Sequence, residues 1–176
     1  FSTASVTDVL GAGLPDMREV AAVTSDSMLF LNRGDRFESR PRPVEAHFSP
    51  VFGITAGDLD GDGHEDVFLA QNFFGVPPSE SREDAGCGLW LRGDGRGGFS
   101  AVPPLESGFA VYGEGRGAAV CDYDHDGRLD LVVGQNRGVT KLYRNDRAQP
   151  GIRVHLEGAN RNPHAVGAIV RLEFRG

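Results

Sequence analysis

The chain has 176 residues, of which 39% are hydrophobic, so it is long and apolar enough to bury a core. Its formal net charge of -7 argues against a general affinity for nucleic acid or for an anionic membrane surface. The sequence lacks a run of about 18 apolar residues, so we expect nothing in it to span a bilayer. With 25 glycines and 10 prolines between short apolar runs, it is predicted to be all-β.

The first predicted unit, residues 1–50, contains a degenerate acidic segment, DVLGAGLPD. Leu10 and Ala12 stand where two later loops carry carboxylates, so we expect a loop of similar shape that binds metal poorly or not at all. Two apolar runs follow, VAAV and MLFLN, and both are predicted to be strands. The segment keeps three residues of the later pattern, which are Asp8, Gly13 and Asp16.

Two further units, residues 51–110 and 111–150, contain nearly the same acidic loop. GDLDGDGHEDVFLAQN (57 to 72) aligns without a gap with CDYDHDGRLDLVVGQN (121 to 136). Each loop leads into an apolar run, a turn and a second apolar run, which predicts short antiparallel strands. Repeated small sheets bury their faces against each other, so a propeller or a solenoid is predicted. The identical pairs are Asp58 and Asp122, Asp60 and Asp124, Asp62 and Asp126, Gly63 and Gly127, Asp66 and Asp130, Gln71 and Gln135, and Asn72 and Asn136.

Residues 151–176 differ in character and are predicted to form a separate C-terminal β segment. IRVHLEG and AVGAIVRLEF alternate apolar and polar residues around the turn ANRNPH, as two half-exposed strands would. The chain begins at Phe1 without a methionine and ends at Gly176 directly after this alternation. These ends predict a piece of a longer protein, in which the β segment is incomplete.

Carboxylates at positions 1, 3, 5 and 9 of each acidic loop, with glycine at position 6, predict a site for a divalent cation. Ca²⁺ takes about six to eight oxygen ligands, whereas Mg²⁺ keeps several waters, so Ca²⁺ is the better match. An acidic surface turn is the alternative, but two copies in register and repulsion among the acids favour a bound ion. An EF-hand would place Glu at position 12, where Leu69 and Val133 stand. The predicted ligands are Asp58, Asp60, Asp62, Asp66 and the position-7 carbonyl of His64, and in the second loop Asp122, Asp124, Asp126, Asp130 and the position-7 carbonyl of Arg128.

Phe52 and Gly53, followed by GDLDGDGHEDVFLAQN, resemble the FG-GAP or VCBS repeat of integrin α-subunits and of many bacterial extracellular proteins. GAAVCDYDHDGRLDLVVGQN resembles it equally, and RVHLEGANRNPHAVGAIVRLEF resembles the start of the ASPIC/UnbV segment that often follows such repeats. The resemblance implies four-stranded propeller blades, Ca²⁺ in the hairpin between the first two strands of a blade, and an extracellular or periplasmic location. A propeller closes with about four to eight blades. Because this chain supplies at most three, other blades or self-association are expected to cover its bare blade faces.

The function expected from this pattern is a scaffold that binds a protein or a glycan, with a structural Ca²⁺ and no catalysis. The rival hypothesis is a carbohydrate-active enzyme, a polysaccharide lyase or hydrolase, because similar repeats occur in such proteins. An enzyme would need an acid or a base outside the loops. The sequence contains no GxSxG, HExxH or P-loop motif, and spacing selects no pair among the available groups. Those groups are Glu45, His47, Glu80, Glu83 and Glu114.

Two surface features leave a choice between structure and recognition. RGD occurs at 33–35 and 92–94, where the repeat needs turns, and we interpret both copies as turn chemistry rather than as cell-adhesion motifs. The insertion 73–86 has no counterpart in the next unit. Its Phe73 and Phe74 are expected either to contact a partner or to cover a blade edge.

The thiols and imidazoles suggest no further site. Cys87 and Cys121 do not form a disulfide framework, and we expect free thiols rather than a single bridge. The five histidines are scattered and show no zinc-site spacing.

Overall fold

The computed structural model describes residues 3–11, 18 and 20–173. Antiparallel strands dominate these residues, which confirms the all-β prediction. No helix among them has the length or the apolar character needed to cross a bilayer. The helices are α1 (Val6–Leu10), a 3₁₀ helix (Val44–His47) and α2 (Pro104–Ser107). The strands are β1 (Met28–Asn32), β2 (Phe37–Pro41), β3 (Val51–Gly57), β4 (Asp66–Gln71), β5 (Leu89–Gly93), β6 (Phe99–Val102), β7 (Glu114–Cys121), β8 (Asp130–Asn136) and β9 (Lys141–Tyr143).

The strands form three antiparallel sheets, each built from strands that are consecutive in the chain. In the first sheet, β1 pairs with β2 across a turn in which the Arg33 N–H donates to the Arg36 carbonyl at 2.9 Å. The second sheet has the order β3-β4-β5-β6, and the third has the order β7-β8-β9. The second unit is thus a four-stranded sheet, whereas the third has three strands. Within the described residues, these sheets do not close into a propeller.

The core is centred on β4, whose six residues are all buried. Side chains alternate across a strand, so Phe68 and Ala70 point to one face of the sheet while Val67 and Leu69 point to the other. The first pair packs with Trp90 and with residues of the third sheet. The second pair packs with residues of β5 and with the 3₁₀ helix. An uninterrupted apolar run therefore lies at the centre of the molecule, as expected for a strand buried on both faces.

The second and third sheets approach each other closely where β3 meets β7. A Cβ atom built on Gly53 would lie 2.8 Å from the Cα of Gly117. A Cβ on Gly115 would lie 3.0 Å from the Cβ of Ala70. The first contact leaves no room for a side chain at the glycine, and the second leaves room for one only if its neighbour shifts. The glycine-rich run YGEGRGAAV therefore forms a strand that packs backbone against backbone, which brings the two acidic loops to neighbouring positions.

The insertion 73–86 folds back onto the second sheet. Phe73 forms an isolated bridge with Glu83, and its ring lies 5.9 Å from the ring of Phe52 on β3. The guanidinium of Arg116 lies 3.8 Å from the centre of the Phe52 ring. Phe73 thus covers part of β3, whereas Phe74 remains 43% exposed.

The two cysteines are free thiols, as the sequence favours. Cys87 is half-buried and Cys121 is exposed at the end of β7. Burial raises the pKa of the Cys87 thiol.

Two sequence predictions need correction in the first unit. The degenerate segment does not begin as a loop, because Val6–Leu10 is a helix. Ser5 caps it, and the Asp8 carboxylate accepts the Ser5 N–H at 2.8 Å in a capping box, so this acid serves a helix start. Gly13 and Asp16 lie outside the described residues. The run VAAV is no strand either, because it is exposed and pairs with no strand among the described residues.

The predicted C-terminal β segment is wrong for the described residues 151–173, which contain no strand. Local turns replace it, such as the Gly158 N–H donating to the Pro163 carbonyl at 3.0 Å. Ile152 and Ile169 are 73% and 89% exposed. The apolar alternation is present, but a strand also needs a neighbouring strand for its backbone hydrogen bonds.

Candidate metal sites

The two acidic loops connect equivalent strands, β3 to β4 and β7 to β8. The position-6 glycines, Gly63 and Gly127, have φ of 88° and 86°, in the left-handed region that glycine enters at little cost. Position 4 is also left-handed, at Gly61 in one loop and at His125 in the other. The sequence repeat is therefore a repeat of backbone shape.

In the first loop, Asp58, Asp60 and Asp66 each place one carboxylate oxygen within 4.8 Å of the others. Asp66 is fully buried at the start of β4. Its two oxygens accept the N–H groups of Leu59 at 3.0 Å and Gly93 at 2.9 Å. These three carboxylates form the first triad.

In the second loop, Asp122, Asp124 and Asp130 form an equivalent second triad. Asp130 is buried at the start of β8. Its oxygens accept the N–H groups of Tyr123 at 2.9 Å and Asn145 at 2.8 Å. The donors occupy the same repeat positions as in the first loop, so one geometry has been built twice.

The position-1 acid orients each loop through backbone donors. Asp58 accepts N–H groups from Gly61 at 2.7 Å and from Gly63 at 2.9 Å. Asp122 accepts the N–H of Gly127 at 3.2 Å. These bonds fix the carboxylates before any ion arrives.

One oxygen in each triad is buried without a hydrogen-bond partner. These atoms are Asp60 Oδ1 and Asp122 Oδ1. A buried carboxylate oxygen without a partner is costly, and a cation removes that cost. The second oxygen of Asp60 pairs with Arg92 Nε at 2.7 Å, and Asp124 pairs with Arg144 Nε at 2.5 Å. The two triads therefore fit a divalent cation in donor type and in unmet bonding capacity.

Burial raises the pKa of Asp66, against the lowering effect of the hydrogen bonds from Gly93 and Leu59. The negative charge of Asp60 raises that pKa further. A bound cation would favour the ionised carboxylate and reverse this direction.

Two predicted ligands lie outside the triads. Asp62 is exposed, and its Oδ1 accepts the His64 N–H at 2.8 Å. Asp126 accepts the Arg128 N–H at 3.0 Å and pairs with Arg144 at 3.5 Å. Ligation by these two acids, and by the carbonyls of His64 and Arg128, stays a prediction.

Sequence reasoning missed three residues that complete the sites: Arg92, Arg144 and Asn145. Arg92 belongs to the second RGD, where an ion pair with Asp60 occupies its side chain. The arginines follow the second apolar runs of their units, in LWLR and KLYR. That shared position is the signal that could have found them.

The candidate catalytic groups are partly occupied by structural bonds. Glu114 accepts the Phe74 N–H at 2.7 Å and the Asn136 side-chain amide at 2.6 Å. His47 and Glu83 line one open cavity of about 440 Å³. The His47 Nδ1 atom accepts the Ser27 N–H at 3.1 Å.

No protein-family model matches the sequence, and a search of curated proteins also finds no match.

Proposed function

We propose that this chain is a calcium-binding segment of a β-propeller scaffold, in which Ca²⁺ stabilises the hairpin at the start of each blade. The observation that carries the proposal is the duplicated triad. In both copies the position-9 acid accepts N–H groups from the same repeat positions, and each triad holds one buried oxygen without a partner. The FG-GAP-like sequence of both loops supports the same interpretation.

Ca²⁺ suits these loops better than Mg²⁺. The triads offer only carboxylates, and each loop has a further acid at position 5 and a carbonyl at position 7. Ca²⁺ accepts six to eight such oxygens in irregular geometry, at about 2.3 to 2.6 Å, whereas Mg²⁺ demands a regular octahedron. The ion supplies positive charge among acids that repel one another. In the structure, Arg92 and Arg144 also supply positive charge there through their ion pairs with Asp60 and Asp124.

Removing Ca²⁺ should destabilise the fold. We expect EDTA to lower the melting temperature and added CaCl₂ to restore it, because an ion bound only to the folded chain stabilises it. The gain is about 2.7 kcal/mol per site when free Ca²⁺ is about 100 times its Kd. Differential scanning calorimetry with matched MgCl₂ additions measures the effect. A melting temperature that neither treatment changes contradicts the proposal.

Single acid deletions should remove single sites. Asp60→Ala and Asp124→Ala should each reduce the Ca²⁺ stoichiometry in isothermal titration calorimetry by one ion. Asp35→Ala is the matched control, because Asp35 is an exposed acid in the β1–β2 turn, remote in sequence from both loops. Full stoichiometry in both loop variants would place the ions elsewhere.

The role that follows from structural metals is binding rather than catalysis. We assign the chain a scaffold function toward a protein or a glycan, outside the cytosol. A glycan screen that records both retention and turnover tests the assignment, and turnover of any glycan would overturn it.

A further inference from the structure

The segment that follows β9 crosses both acidic loops. We call residues 145–151 the strap. The side-chain amide of Asn145 donates to the Leu59 carbonyl at 2.8 Å and to the Leu129 carbonyl at 3.1 Å. Leu59 lies between Asp58 and Asp60 of the first triad, and Leu129 precedes Asp130 of the second. One side chain therefore holds the backbone of both sites.

The backbone N–H and both ends of the side-chain amide of Asn145 are occupied in this arrangement. Its backbone N–H donates to Asp130 Oδ1 at 2.8 Å. Its side-chain oxygen accepts the N–H groups of Arg147 at 3.2 Å and Ala148 at 3.1 Å. The side chain is thus fixed between the loops, and displacement of either loop breaks its bonds.

The rest of the strap adds contacts to the same two loops. The Ala148 carbonyl accepts Arg128 Nε at 2.7 Å, and the Gly151 N–H donates to the Gly127 carbonyl at 2.6 Å. The backbone of Gln149 packs on Gly61, where a Cβ atom would lie 2.7 Å from the Gln149 carbonyl oxygen. The strap therefore contacts two residues of the first loop and four of the second.

The equivalent residue of the preceding unit cannot play this part. Gly93 donates its N–H to Asp66 at 2.9 Å, as Asn145 does to Asp130. It has no side chain, and a Cβ atom there would collide with the Glu65 carbonyl. The bridge is therefore an addition to the repeat, made by Asn145 alone at this position.

We propose that Asn145 and the strap couple the two sites, so that an ion in one loop strengthens ion binding in the other. The inference rests on the proposed Ca²⁺ binding. An ion held by Asp58 and Asp60 fixes the Leu59 peptide between them, and Asn145 carries that restraint to Asp130. The second ion then meets a loop that is already ordered, which is the thermodynamic basis of positive coupling.

The experiment is a binding cycle by isothermal titration of CaCl₂ into the chelator-treated chain. The overall association constant for two ions in the unaltered chain is divided by the product of the single-site constants in Asp60→Ala and Asp124→Ala. We expect a ratio of at least about five. With Asn145→Ala in all three backgrounds, the ratio should fall to about one. Asn162→Ala should leave it unchanged, because the side-chain hydrogen bonds of Asn162 go to Val166 within the C-terminal turns, away from both acidic loops.

Each outcome decides something. A ratio of one in the unaltered chain overturns the coupling and leaves the calcium scaffold standing. A ratio above five that survives Asn145→Ala overturns the role of Asn145. Absence of Ca²⁺ binding overturns both proposals. The ratio measured with the unaltered chain, Asp60→Ala and Asp124→Ala does not depend on whether Asn145→Ala folds.

Hydrogen exchange supplies a second measurement of the same coupling. In Asp60→Ala, filling the second site with Ca²⁺ should slow exchange of the Gly61 and Gly63 amides in the first loop. Adding Asn145→Ala should abolish that protection. Unchanged exchange in Asp60→Ala would show that the second loop does not influence the first.

Discussion

Gly61 and His125 occupy the same position of the two acidic loops, and both have a left-handed backbone, with φ of 76° and 64°. Their surroundings differ. The strap backbone at Gln149 lies against Gly61 and leaves no space for a Cβ atom. His125 already carries one and is exposed. Gly61 is thus required both by the left-handed backbone and by the close contact with Gln149. At His125 the backbone is also left-handed, but no such contact is needed to accommodate its exposed side chain.

Gly61→Ala should therefore lower the free energy of unfolding by about 1 to 3 kcal/mol, from backbone strain and the clash with Gln149. His125→Ala is the matched control and should change it by less than about 0.5 kcal/mol, because it keeps the same φ and removes only exposed atoms. Urea unfolding in EDTA measures both. Equal losses in the two variants would show that the strap does not press on Gly61.

Glu114 should make stability depend on pH. The Phe74 N–H, then the Asn136 amide and the charge of Arg116, hold the pKa of this carboxyl below its ordinary value of 4.5. A lowered folded-state pKa means that the stabilisation is complete above about pH 5 and is lost as pH falls through the folded value. Glu114→Gln should melt below the unaltered chain at pH 7, and the difference should shrink as pH falls through the folded-state pKa.

The measurement for Glu114 is a melting series from pH 7 to pH 3 in EDTA. Glu80→Gln is the control, because Glu80 is an exposed acid of the insertion whose Phe74 N–H bonds to Glu114. It should follow the unaltered chain at every pH. A constant offset between Glu114→Gln and the unaltered chain would contradict the assignment.

The sequence predicts the acids of the triads far better than the residues that hydrogen-bond to them. Spacing and repetition alone locate Asp58, Asp60 and Asp66, because all three lie in one short acidic loop that recurs in the next unit. Asn145 reaches a carbonyl 86 residues away. No local pattern encodes such a bond, since it exists only once the two sheets have packed.

Within the hairpins, the repeated QN pair ends β4 and β8, yet its two asparagines have different environments. Asn72 is completely buried with φ of 88°. Its amide donates to the Gly86 carbonyl at 2.7 Å, and its oxygen accepts from Ser49 and from the Gly86 N–H, each at 2.9 Å. Asn136 is exposed and bonds to Glu114. Asn72 fastens the end of the insertion to the end of β4.

Asn72→Ala should reduce the free energy of unfolding by about 2 to 4 kcal/mol, because it leaves several buried groups without partners. Asn136→Ala, at the same repeat position, should cost no more than about 1 kcal/mol. Asn72→Gly separates conformation from bonding, since glycine accepts the left-handed φ but makes no side-chain bond. Chemical denaturation ranks the three variants. A fully stable Asn72→Gly would mean that the backbone angle, not the hydrogen bonds, explains the asparagine.

The strand predictions succeeded where the chain supplies a pairing partner and failed where it does not. MLFLN, VFLAQ and LWLRG each lie beside another strand. VAAV and IRVHLEG show comparable apolar content or alternation but pair with nothing in the described residues. Alternation of apolar and polar residues indicates which side chains suit the face of a sheet. It does not indicate whether a neighbouring strand is present to pair with the backbone.

At the scale of the whole molecule, the second and third sheets share a core, to which β1 and β2 contribute no buried residue, and apolar surface remains on β3. Phe52 and Ile54 are 47% and 60% exposed on that strand. Patches of this kind are usually covered by other parts of an assembly. Coverage by further blades or by a second copy stays a prediction.

The strap divides the C-terminal part of the chain into a segment that stabilises the fold and one that does not. Residues 145–151 bond to both acidic loops, whereas residues 155–173 make only local turns and are largely exposed.

A chain that stops after Val154 should therefore have a free energy of unfolding within about 0.5 kcal/mol of that of the full chain. A chain that stops after Arg144 loses the Asn145 bonds and should be less stable by at least about 2 kcal/mol, at about 1 kcal/mol for each net hydrogen bond. Urea unfolding of both truncations, with and without Ca²⁺, compares them. Equal stability of the two would show that the strap contributes nothing, and a large loss from the longer one would place a stabilising contact beyond residue 154.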